Sequence, residues 1–109
     1  TALRAQTTSY TAIGHQLFNA NGSQCHGKEG AGGSAPTLNS REFLKSSPDN
    51  QIGALISGGV SGTEMPAWGL DYGGTFTDEQ VRHVVTYLRS LEAKAPSIPG
   101  WRQGDKAAP

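Results

Sequence analysis

Two stretches decide what this chain can become. Residues 27–39, GKEGAGGSAPTLN, and residues 60–76, VSGTEMPAWGLDYGGTF, hold so much glycine and proline that no regular helix or strand can cross them. The second also carries Met65, Trp68 and Tyr72, large side chains that need a surface to bury against. In a chain of 109 residues with only 35% apolar content, such surface is scarce. The sequence therefore predicts a small, loop-rich single domain that needs something beyond its own side chains to complete a core.

Between and around the loops the pattern is helical. From Ser9 to Ala20, Tyr10, Ile13, Leu17 and Phe18 fall on one helical face, with Thr8 or Ser9 as N-cap. Gly14 lies on the same stripe, where glycine weakens a helix by about 1 kcal/mol relative to alanine, so a second backbone is predicted to approach there. SREFLKSS is long enough for a helical turn. Ser47-Pro48 then reads as an N-cap followed by a first-position proline, opening a short helix with Ile52, Leu55 and Ile56 on one face. Thr77 and Gln80 form a capping box ahead of Val81, Val84, Val85, Leu88 and Leu91 at helical spacing. No internal repeat and no alternating strand pattern is present. The expectation is an all-α fold, divided into an N-terminal extension (1–8), a helical domain (9–93) and an extended proline- and glycine-containing tail (94–109). Trp101 is the tail's one large anchor, either a clamp on the domain's own surface or a docking residue for a neighbouring subunit.

Charge and cysteine usage narrow the function. Nine basic residues balance nine acidic ones, and the basic ones are scattered, so nucleic acid is excluded as a partner class and a modest salt dependence of association is expected. A single cysteine excludes an internal disulfide framework. No apolar run reaches membrane-spanning length, and TALRAQTTSY lacks the charged-then-apolar order of a signal peptide. Direct membrane insertion is not expected, and an export signal is not contained in these residues.

The chemistry concentrates in NGSQCHGKEG, residues 21–30. Cys25-His26 would complete a c-type haem attachment signature, Cys-x-x-Cys-His, except that Gly22 stands where its first cysteine would be. A Cys25 nucleophile paired with His26 is disfavoured, because adjacent residues rarely face one another and no Asn or Asp orienter stands out. Gly30, Gly32 and Gly33 do not form a phosphate loop, since no strand precedes them and no Lys-Ser or Lys-Thr follows. His15 and His83, on predicted helices, are expected at the solvent or the domain edge, with no function assigned.

The order of these pieces is a helix with Gly14 and Phe18, Cys25-His26 at its end, a loop with Pro36, short helices, Met65-Pro66 in a loop, and a closing helix with Tyr87. In that order the chain resembles the single-haem, all-α cytochrome c family from about Tyr10 to Leu91. The resemblance implies three to five helices wrapped around one haem c per chain. It implies His26 as the proximal and Met65 as the distal iron ligand, a filled pair that favours electron transfer over catalysis. It further implies that the Pro36 carbonyl orients His26, that Leu38 packs beside the porphyrin, that Trp68 packs on the haem or closes the Met65 loop, and that Tyr87 meets Gly14 where the end helices cross. Cys25 would form a thioether to the ring. Gly22 departs from the family pattern and leaves that thioether without its usual companion. The implied partners are a redox donor and acceptor, with membership of a larger respiratory or photosynthetic complex left open, in an extracytoplasmic compartment. The alternative is a haem enzyme or gas-binding module in which Met65 is weakly held or displaced.

Overall fold

The computed structural model describes the backbone of residues 2–106 and the side chains of residues 9–104. Five α-helices follow one another there: α1 (Ala2–Leu17), α2 (Ser23–His26), α3 (Arg41–Ser46), α4 (Asp49–Gly58) and α5 (Asp78–Ser90). A π turn over Phe18–Gly22 joins α1 to α2, and single 3-10 turns punctuate the loops and tail. Among the described residues the only β pairing is an isolated bridge between Gly69 and Phe76. The fold is all-α, in agreement with the periodicity.

The frame is the crossing of α1 and α5. Thr77 caps α5 by accepting from the Gln80 amide at 3.1 Å, while the Gln80 side chain accepts from the Thr77 amide at 2.9 Å. Val81, Val84, Val85, Tyr87 and Leu88 are buried along the helix. A Cβ added at Gly14 would lie 1.9 Å from the His83 carbonyl oxygen and 3.0 Å from Tyr87 Cβ, so only glycine lets the two backbones meet. Phe18 seals the crossing, its ring tilted against Tyr87 at 5.6 Å. Two further ring pairs flank it, Tyr10 stacked on His83 at 4.7 Å and His15 on Tyr87 at 4.6 Å. His83 is therefore buried and His15 half-buried, where the sequence placed both at the solvent or the edge.

Arg89 ties α5 to the short helices. Its guanidinium donates to Asp49 at 2.7 Å, to Glu92 at 3.1 Å and to the Leu44 carbonyl at 2.6 Å, and it also reaches the Ser47 carbonyl. With the Ser47 backbone held by Arg89, Pro48 becomes the N-cap of α4, one residue later than the sequence suggested, and Asp49 is the first helical residue. Ser40 caps α3 through the Phe43 amide at 3.2 Å.

Both ends of the chain depart from expectation. Residues 2–8, read as an extension, continue α1 through a run rich in helix-favouring Ala, Leu, Arg and Gln, so neither Thr8 nor Ser9 caps it; Thr1 lies outside the described residues. The tail, read as extended, folds back over the body and ends in a 3-10 turn at Trp101–Lys106; residues 107–109 lie outside the described residues. Trp101 is a clamp on the domain's own surface, 4.9 Å from the Phe43 ring. Backbone partners hold the tail as well, Arg41 N–H on the Pro96 carbonyl at 2.9 Å and Thr37 N–H on the Trp101 carbonyl at 2.7 Å.

Candidate functional site

The π turn and α2 carry the chain straight from α1 into Cys25-His26, where the sequence alone suggested a helix ending near Ala20. The Asn21 side chain donates to the Leu17 carbonyl at 2.8 Å and the Ser23 hydroxyl to the Asn19 carbonyl at 2.7 Å, bonds that tie the π turn to the helices on either side. Gly27 then breaks the helix at φ +81°, and a Cβ there would lie 2.4 Å from the Gly32 carbonyl oxygen. The loop folds tightly back as a result. Gly32 N–H donates to the His26 carbonyl at 2.7 Å and Ala35 N–H to the Cys25 carbonyl at 2.9 Å.

That closure delivers Pro36 to His26. The Nδ1 of His26 lies 2.8 Å from the Pro36 carbonyl oxygen. A carbonyl only accepts, so Nδ1 carries the proton and the Nε2 lone pair is left for a ligand role. Burial pushes the His26 pKa below that of free imidazole, partly opposed by the Pro36 bond. The ring is thereby kept neutral, the form that binds a metal. Nε2 makes no hydrogen bond among the described residues.

Leu38, Met65 and Trp68 are half-buried and pack against the same hydrophobic cluster that contains Phe18, and the Phe18 ring lies 6.5 Å from that of His26. Met65 sits in a loop fixed by Val60 N–H on its carbonyl at 3.2 Å and by its own amide on Thr63 Oγ1 at 3.2 Å. Trp68 stacks on Phe76 at 5.4 Å and donates its amide to the Ile56 carbonyl at 2.9 Å. Cys25 is a free, exposed thiol. Gly22 has ordinary helical angles, φ −76° and ψ −29°, but a Cβ there would lie 2.9 Å from the Phe18 ring.

These residues fit a haem on their own chemistry. A neutral imidazole with one free nitrogen, a thioether in a restrained loop, an exposed thiol beside the imidazole and half-buried apolar side chains form a donor set and lining suited to an iron porphyrin. Among the described residues no group of three or more His, Cys, Asp or Glu side chains is placed to hold a bare metal ion.

Two features escaped the sequence. Thr37, buried next to Pro36, is tied to the tail through the Trp101 carbonyl, and its hydroxyl lies 3.3 Å from the Ala31 carbonyl and 3.4 Å from that of Gly104. A backbone-to-backbone tie leaves no mark on residue identity. The hydroxyl of Tyr87 is buried without a hydrogen-bond partner among the described residues, and burial together with the nearby Glu29 charge raises its pKa, which keeps the phenol protonated. Its spacing on α5 signalled packing and gave no hint of the unpaired oxygen.

Comparison with known proteins agrees with this chemistry. A family model described as cytochrome c oxidase, cbb3-type, subunit III matches residues 10–88. The chain is 35% identical over 97 residues to the cbb3-type cytochrome c oxidase subunit FixP of Sinorhizobium medicae (strain WSM419), covering 81% of this chain and 32% of that protein. It is 36% identical over 81 residues to the cbb3-type cytochrome c oxidase subunit CcoP of Rubrivivax gelatinosus, covering 73% of this chain and 25% of that protein. It thus spans about a third or less of the curated relatives it matches. No solved structure matches the chain. On the family match and these relatives, the chain belongs to the cbb3-type cytochrome c oxidase subunit III family and is a c-type haem domain of the cytochrome c class.

Proposed function

We propose that the chain is a one-electron carrier in which His26 and Met65 would hold the haem iron and Cys25 alone would tether the ring. The observation that carries this reading is the 2.8 Å bond from His26 Nδ1 to the Pro36 carbonyl, which fixes the tautomer and ring plane a proximal ligand needs. When bound, haem supplies a reversible ferric/ferrous couple. His26 would bind through Nε2, whose basicity the Pro36 bond raises. Met65, between Thr63 and Pro66 in a loop pinned to Val60, supplies a soft thioether that favours the ferrous state. With His26 and Met65 both engaged, the iron would have no position left for a substrate, and the domain would carry electrons without catalysis of its own.

The relatives are named as oxidase subunits, and we carry that context over: a redox donor and acceptor on the extracytoplasmic side of a membrane, with the domain part of a larger respiratory assembly. Among the described residues, no helix is long and apolar enough to cross a membrane.

Intact mass of the denatured holoprotein tests the tether. The expected result is the chain plus one haem, reduced to the bare chain in Cys25→Ser; a bare-chain mass in the parent protein overturns the thioether. The oxidised protein is expected to show the methionine-to-iron charge-transfer band, lost in Met65→Ala. Absence of that band in the parent, together with carbon monoxide binding to the reduced form at neutral pH, would replace electron transfer by the gas-binding or peroxidase-like alternative.

A further inference from the structure

The zero net charge conceals a segregation. Between residues 46 and 81 the chain carries Asp49, Glu64, Asp71, Asp78 and Glu79 and not one Lys, Arg or His. Arg89 neutralises Asp49 at 2.7 Å, and Glu79 lies 3.8 Å from His83. Glu64, Asp71 and Asp78 make no ion pair among the described residues. The Met65 segment is therefore an acidic lobe on a chain whose remaining charge is net positive.

The same lobe displays the most exposed large apolar side chains described. Leu70 is 56% and Tyr72 66% accessible, with Asp71 between them. They are not on a loose loop. Leu70–Tyr72 is a 3-10 turn whose Leu70 amide donates to the Phe76 carbonyl at 2.8 Å and whose Tyr72 amide donates to that of Gly69 at 3.0 Å. Gly69 N–H in turn reaches the Ser57 carbonyl at 3.0 Å, and Phe76 N–H the Trp68 carbonyl at 2.7 Å. The turn is thus bolted to α4 and to the Trp68–Phe76 stack in the loop that carries Met65. A tyrosine and leucine held in a fixed turn, with the unpaired Asp71 between them and Glu64 in the same loop, combine an apolar anchor with negative charge, the composition of a docking face.

We propose that this lobe, with Leu70 and Tyr72 as its apolar anchor and Asp71 and Glu64 among its unpaired charges, docks a redox protein whose contact surface is an apolar patch ringed by Lys and Arg. The inference rests on the proposed reading of the chain as a one-electron carrier with Met65 as an iron ligand. It replaces the expectation of weak steering drawn from net charge, because an encounter senses the local field of the face within a Debye length.

The test uses the holoprotein and stopped-flow electron exchange with two probes, a soluble cytochrome c with a lysine-ringed haem edge and an acidic blue-copper protein. Exchange with the lysine-ringed probe is expected to fall steeply as salt is added, and to exceed exchange with the acidic probe at low salt. Glu64→Gln/Asp71→Asn is expected to slow the first reaction about three- to ten-fold at low salt and to flatten its salt dependence. Lys45→Gln, on α3, is expected to leave both unchanged. Tyr72→Ser is expected to slow exchange at high salt without altering the salt slope, which separates the apolar anchor from the unpaired charges. A flat salt dependence in the parent protein, an acidic-variant effect no larger than that of Lys45→Gln, or a dimer in sedimentation that Tyr72→Ser dissolves would overturn the proposal. The methionine-to-iron band, read in every variant, reports separately on ligation, so loss of the Met65 reading and loss of the docking face are distinguishable.

Discussion

At positions 14 and 22 a single hydrogen in place of a side chain serves two different ends. Gly14 has no room at all: a Cβ would fall 1.9 Å from a backbone oxygen that belongs to α5 and cannot rotate away. Gly14→Ala should force the two helices apart and destabilise the holoprotein by about 3 kcal/mol or more, although alanine is the better helix former. Chemical denaturation of the two proteins measures this, and a variant as stable as the parent would contradict the close crossing. Gly22 is a milder case. Its backbone angles suit any residue, and the obstacle is the Phe18 ring at 2.9 Å, a side chain that can shift. Gly22→Ala should therefore stay within about 1 kcal/mol of the parent, helix propensity offsetting the displaced ring. Gly22→Cys, matured with haem, should consume the second vinyl group and shift the alkaline pyridine haemochrome band to that of a two-thioether haem. An unshifted band would show that the Phe18 ring holds position 22 out of reach.

Among the elements, the tail from Ala95 to Gly104 matters more than its composition suggests. Glu42 receives the Ile98 amide at 2.7 Å and the Ser97 hydroxyl, and Trp101 holds Thr37, the neighbour of the proline that orients His26. Hydrogen bonds led by Ser97 hold the Glu42 carboxyl below its ordinary value of 4.5. Because the folded value is depressed, the stabilisation is present above the unfolded pKa and disappears as pH falls through the folded one. Amide exchange at Ile98 and Thr37 should thus lose protection below about pH 4.5, beyond the intrinsic pH effect, while Glu42→Gln should show reduced protection with no such pH step. Trp101→Ala should destabilise by less than the ~3–5 kcal/mol of a fully buried tryptophan, since Trp101 is half-buried, and should raise exchange at Thr37 most. Side-chain signals explain what was legible here. The capping box of α5, the stripe of valines and the glycine on α1 each reflect a demand on residue identity. The tail's fold depends on backbone carbonyls at Pro96 and Trp101, and the continuation of α1 into α2 on a π turn, both indifferent to sequence pattern. The stacking of His15 and His83 on tyrosines was hidden for a related reason: imidazole is polar enough to be read as exposed, yet flat enough to cover a ring.

At the scale of the whole molecule, the protein core is small and one-sided. Among the described residues twelve apolar side chains are buried, most of them on α3, α4 and α5, while Leu17, Leu38, Met65, Trp68, Leu91 and Trp101 cover that core only partly. The glycine-rich loops that carry Pro36, Leu38, Met65 and Trp68 hold their backbones mainly by bonds within each loop, with ties to α2, α4 and the tail, and those four side chains stay only half-buried. A porphyrin laid against these side chains would remove apolar surface at about 25 cal/mol per Å², a term the chain cannot replace from its own composition. The α1–α5 crossing, by contrast, is built from Gly14, Phe18, Tyr87 and the ring stacks, and needs no cofactor. The haem-free chain should accordingly keep much of its far-UV helical signal but lose near-UV ellipticity from Trp68 and Trp101 and bind a hydrophobic dye, with a broad thermal transition in place of a cooperative one. Restoring haem should recover the near-UV bands and sharpen the transition. A haem-free chain that melts cooperatively with native near-UV bands would show that the loops fold by themselves, and would move the burden of stability from the cofactor to the tail that straps them.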